Sequence, residues 1–94
     1  MDISRILTEL EEKGFSIVKP KGNSMKGRIS SGETVALIKQ DTYNINDAVL
    51  AKVKGNYYIH IISKIGERGF LIKNNKGFEN GWTKNILAKA FISA

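Results

Sequence analysis

A mainly β domain with one short N-terminal helix is the fold class this 94-residue sequence predicts. Three observations lead there. Apolar residues recur at helical spacing only in the first dozen positions. From Phe15 onward the pattern changes to short apolar segments separated by Gly, Asn and Asp. Gly55-Asn56 stands between two apolar-rich runs, the arrangement of a tight hairpin.

The helix is predicted over 2–13. Asp2 can cap its N-terminus, Ile3, Ile6, Leu7 and Leu10 share one face, and Gly14 supplies a C-terminal stop. It is expected to pack on the outside of the domain, so the chain divides into an amphipathic helix at 1–14 and a β domain at 15–94. Strands are expected at 15–19, 34–39, 48–54, 57–65, 69–73 and 86–92. The segment Lys54-Gly55-Asn56-Tyr57 predicts that 48–54 and 57–65 pair antiparallel around a Gly-Asn turn. Alternation then places Tyr57, Ile59, Ile61, Ser63 and Ile65 on one face of the second strand. Tyr58, His60, Ile62 and Lys64 fall on the other.

Composition narrows the chemistry. Hydrophobic residues make up 41% of the chain and are spread through it, which favours a globular domain over a disordered one. With no cysteine there is neither a disulfide framework nor a thiolate metal site, and one histidine cannot form a metal-binding cluster. No cofactor or metal is implied. The apolar runs fall far short of the roughly 20 residues that cross a bilayer, and the N-terminus lacks a signal-peptide core, so no membrane and a cytoplasmic location are expected. The formal charge of +6 favours an acidic partner, nucleic acid among them. The basic residues are scattered rather than blocked, however, which suits a solubilising excess better.

The segment Lys21-Gly22-Asn23-Ser24-Met25-Lys26-Gly27 packs turn-formers around a serine, as an exposed hydroxyl on a tight loop requires. Taken alone, such a serine is commonly a plain turn residue. A longer pattern surrounds it: Gly22-Asn23-Ser24-Met25, then Ile29, Gly32, Glu33 and Val35, then Asn46-Asp47-Ala48-Val49-Leu50-Ala51, then Tyr58-Ile59-His60-Ile61-Ile62 about three dozen residues after the serine.

From about Lys19 to Phe91 this pattern resembles the LexA-like and signal-peptidase-like serine peptidase superfamily, shared by LexA-type repressors, UmuD-type proteins and signal peptidases. The resemblance implies a mainly β, partly barrel-like fold. It also implies Ser24 as nucleophile and His60 as base, where most members carry lysine and some signal peptidases of endoplasmic-reticulum type carry histidine. A serine hydroxyl needs a neighbouring base to take its proton, and neutral imidazole, with an ordinary pKa of about 6.5, serves at neutral pH. Lys64 lies roughly 13 Å along an extended strand from His60 and is a weak substitute.

Members with histidine recruit an aspartate further along. Here Lys73-Asn74-Asn75-Lys76-Gly77-Phe78-Glu79 lacks it, leaving Glu79 as the nearest acidic candidate to orient His60, with Asn74 or Asn75 as weaker ones. For the oxyanion hole the candidates are the backbone groups at Ser24 and Met25. The Ser24 N–H is the donor the resemblance implies, and Gly22 stands where some signal peptidases carry a hydroxyl. Asn46 replaces a usual glycine. Lys26 and Arg28 suit either an acidic partner group or a solvated loop, and Trp82 either a core or lid aromatic or a stacking platform.

Three functions follow as expectations. The first is a serine endopeptidase using a Ser-His pair to hydrolyse a peptide bond in another protein, with small residues beside the cleaved bond. LexA-type regulation needs a DNA-binding domain that 14 residues cannot hold, signal peptidases need a membrane anchor, and residues 1–23 contain neither Ala-Gly nor Cys-Gly for self-cleavage. The second is a catalytically inactive module on the same scaffold that binds a peptide or protein partner, with a homodimer as one form. The third is association with nucleic acid through the basic surface, in phage or mobile-element regulation, where LexA-like domains are common.

Overall fold

The computed structural model describes residues 1–22 and 25–92. Helix α1 (Ile3–Lys13) is followed by β1 (Phe15–Val18), β2 (Val35–Ile38), β3 (Ala48–Val53), β4 (Asn56–Gly66), β5 (Gly69–Lys73), β6 (Glu79–Thr83) and β7 (Ile86–Ile92). The mainly β class with one short helix is therefore what the chain adopts. Asp2 accepts from the Arg5 N–H at the start of α1, and Gly14, in the left-handed conformation, donates its N–H to Leu10 O at the end.

The strands form one antiparallel sheet in the order β1-β2-β7-β3-β4-β5-β6. It is an open sheet: among the described residues no ladder joins β1 to β6, so the barrel-like form expected from the family stops short of closure. β6 nevertheless folds back towards β3, where Thr83 Oγ1 donates to Lys52 O at 2.6 Å and the Lys52 N–H donates to Asn85 O at 3.0 Å.

Folding the sheet back makes two cores. Leu50, Leu37, Val35, Ile61 and Ala88 fill the larger one, and Ile6 and Leu10 of α1 complete it. The helix is thus part of the main core rather than an attachment to its outside. Val49, Ala51, Val53, Ile62 and Ile72 form the smaller core, flanked by Tyr43, Tyr58, Phe70 and Ile86. β3 serves both, with alternate residues entering opposite cores, which explains its nearly continuous apolar run.

Three local features differ from the expectations. The hairpin turn is Lys54-Gly55, one residue earlier than Gly-Asn, because Val53 pairs with Asn56. Lys54 and Gly55 both have positive φ (50° and 84°), as a primed two-residue turn demands, and the glycine takes the second position. A bulge between Ile62 and Lys64 puts Lys64 opposite Leu71, while Ile62 sits opposite Ile72. The extra residue, Ser63, therefore turns Lys64 to the face opposite His60, so Lys64 does not share its side of the strand. Finally, β6 is a strand the sequence pattern does not reveal. Glu79-Asn80-Gly81-Trp82-Thr83 has no apolar alternation and an internal glycine.

Candidate active site

His60 stands at the middle of β4, cross-strand from Val49, and is 6% exposed. Among the described residues, Tyr58 and Asn80 hold its ring. Tyr58, two residues earlier on the same face, stacks on it with centroids 5.0 Å apart and planes 21° from parallel. On its edge, Nδ1 lies 2.7 Å from Asn80 Oδ1. A carbonyl oxygen can only accept, so Nδ1 carries the proton and Nε2 keeps the lone pair, the tautomer a general base needs. Burial among Val49, Tyr58 and Ile62 pushes the His60 pKa below its ordinary value, and the Asn80 hydrogen bond pulls it back in part. The ring is neutral at neutral pH.

The orienting contact thus comes from Asn80, and neither Glu79 nor Asn74 makes it. The reason is a second bulge. On β6, Glu79 pairs with Lys73 and Gly81 with Ile72, so Asn80 is the extra residue, and the bulge aims it at His60. Glu79 is exposed. Asn74 Oδ1 is occupied within its own turn, accepting from the N–H groups of Lys76 and Phe78, each at 2.9 Å. Asn75 donates to Lys26 O at 2.8 Å. No acidic motif marks Asn80; recognising β6 as a strand beside β5 would have been the way to find it.

Ser24 lies outside the described residues. Its neighbours Gly22 and Met25 line a cavity of about 360 Å³ whose other walls include Lys19, Lys21, Tyr57, Tyr58, Ile59 and His60. Gly22 has φ 114°, a conformation strained for other residues, and its N–H is 3.4 Å from Ser31 Oγ. On the far side, the Met25 side chain is buried in the main core. Its carbonyl accepts from the Arg28 and Ile29 N–H groups in a single helical turn.

Polar tethers hold this loop. Arg28 Nη1 donates to Asn46 O at 2.9 Å and to Asn46 Oδ1 at 3.2 Å, and Asn75 anchors Lys26 from the β5–β6 turn. Asn46 has φ 73°, so asparagine meets the backbone need at that place while adding a side-chain acceptor that glycine lacks. Arg28 is thereby a structural clamp. Trp82 sits across from Leu71 on β5, with the Arg68 guanidinium 4.8 Å from its ring centroid.

The β4 backbone also contributes to the cleft. Ile62 donates its N–H to Asp47 O and accepts from the Asn46 N–H, both on the β3 side. Strand alternation then directs the groups of Tyr58 and His60 to β3, and those of Tyr57 and Ile59 away from it. β5 pairs with β4 only from Ile61 onward. Among the described residues, no strand covers β4 at Tyr57 and Ile59, and this edge opens on the cavity.

The family model described as Peptidase S24-like matches residues 3–89. The chain belongs to that family. Within a peptidase-like family, Gly22, Met25 and an oriented histidine lining one cleft have a direct chemical meaning. No curated protein matches the chain. Among the described residues, no helix is long and apolar enough to cross a membrane.

Proposed function

We propose that this Peptidase S24-like protein is a serine endopeptidase in which Ser24 is the nucleophile, His60 the general base and Asn80 the residue that orients His60. The observation that carries the reading is the His60 ring, which is buried, stacked and hydrogen-bonded through Nδ1, on the wall of a cleft also lined by Gly22 and Met25. An extended substrate adds to the open edge of β4 at Tyr57 and Ile59 through backbone hydrogen bonds.

Ser24 Oγ attacks the scissile carbonyl carbon while His60 Nε2 takes its proton. The C–N bond then breaks, and the same proton passes to the departing amine. Water, deprotonated by His60, hydrolyses the acyl-enzyme and returns Ser24. The imidazolium formed in each half-reaction is stabilised by Asn80 through a neutral carbonyl, a weaker partner than a carboxylate. That neutral partner also supports a second reading, in which the cleft holds a peptide without turning it over.

A fluorophosphonate probe distinguishes the two. Mass spectrometry should find one adduct on the wild-type chain, at Ser24, and none on Ser24→Ala. An unlabelled wild type, or equal labelling of the variant, removes the peptidase reading.

A further inference from the structure

Among the described residues, the charged side chains that line the cleft carry one sign only. Lys19 and Lys21 are exposed and line the cavity, and no Asp or Glu lines it among the described residues. At the hairpin end, Lys52 Nζ lies 5.4 Å from the centroid of the Tyr57 ring, itself a wall of the cavity. Among the described residues, none of these three lysines has a carboxylate within ion-pair distance. The ion pairs present join Arg5 and Lys13 to Glu9, and Lys89 to Asp47. Among the described residues, two ammonium groups of the lining and a third beside Tyr57 are therefore without local counter-charge.

We infer that the cleft selects extended peptides carrying an acidic side chain two to four residues from the bond that faces His60. The spacing comes from the strand. Tyr57 is three residues from His60, roughly 10 Å along β4. A peptide paired with that edge and crossing His60 brings side chains about three positions away beside Tyr57 and Lys52. Lys19 and Lys21 line the same cavity and add their charge to that site. An anion with a polyphosphate backbone would satisfy the charge but not the N–H and C=O groups of Tyr57 and Ile59, which no strand among the described residues pairs and which favour a peptide.

The inference rests on the proposed use of the cleft for an extended chain, but not on turnover, so the test uses the Ser24→Ala protein. Fluorescein-labelled peptides of about ten residues, each with a central Ala-Gly and one Glu two, three or four positions to either side, are compared by anisotropy with their Gln counterparts. Each Glu should tighten binding about threefold in the best positions, the range of exposed ion pairs. The gain should shrink in about 0.5 M salt. It should vanish in the triple variant Lys19→Gln, Lys21→Gln, Lys52→Gln and persist when the same positions carry Arg.

Equal binding of Glu and Gln peptides, absence of peptide binding, or displacement of every peptide by a tighter-binding oligothymidylate overturns the inference. A Glu preference without cleavage by the wild type would keep the inference and remove the peptidase reading. Cleavage with no Glu preference would do the reverse.

Discussion

The two halves of the candidate site are held in different ways. His60 sits on a strand whose neighbour β3 is buried on both faces, so core packing fixes its backbone and Tyr58 and Asn80 fix its ring. The described residues that follow Ser24 are anchored by the buried Met25 side chain and by exposed polar tethers from Arg28 and Asn75. The base is thus placed by burial of apolar area, and the loop chiefly by a few hydrogen bonds. Substitutions in the first region should change global stability, and substitutions in the second should change reactivity with little change in stability.

The largest effect is expected from Leu50→Ala. Leu50 is fully buried in the main core, and its truncation should destabilise the fold by about 2–5 kcal/mol, read as a lower denaturation midpoint in urea. Arg28→Ala probes the other region. It removes two exposed hydrogen bonds to Asn46, so stability should fall by about 1 kcal/mol or less, while probe labelling should slow by a larger factor as the loop loses its clamp. If Arg28→Ala unfolds the protein as Leu50→Ala does, the distinction between the regions fails.

Asn80 links the regions to chemistry. Asn80→Ala should destabilise by about 1 kcal/mol and slow labelling on the order of tenfold, because the imidazole loses its orienting acceptor. Asn80→Asp should accelerate labelling at neutral pH, because a carboxylate stabilises the imidazolium, and should raise the His60 pKa. Identical labelling rates for the wild type and both of these Asn80 variants would remove Asn80 from the mechanism.

The smallest effect concerns pH and stability. His60 has a folded-state pKa below its unfolded value, so the unfolded chain takes up the proton first as pH falls. The stability contributed by the neutral ring is present above about pH 6.5 and is lost as pH falls through the folded value. Wild type should therefore lose more thermal stability than His60→Gln between neutral pH and about pH 5.

Much of this fold is legible in the sequence because it follows from periodicity. The α1 face, its caps, and the pairing of β3 with β4 all come from residues that keep regular spacing. What periodicity misses lies at bulges. Ser63 reverses the expected face of Lys64, and Asn80 projects from a strand too polar to announce itself. A bulge adds one residue without any compositional mark, so the side chain it re-aims is visible only once the partner strands are in place. The serine box and His60 stand out through family resemblance. The orienting group is expected one residue away at Glu79, because chemistry favours a carboxylate and no local signal distinguishes the neighbouring amide.

The most direct test of His60 as the activating base is the pH dependence of fluorophosphonate labelling at Ser24, measured for the wild type and for His60→Gln. Labelling that rises with pH through a midpoint below about 6.5, and is lost in His60→Gln, is the predicted result. Labelling that is absent, or indifferent to the His60 substitution, would contradict the claim that this histidine activates the serine.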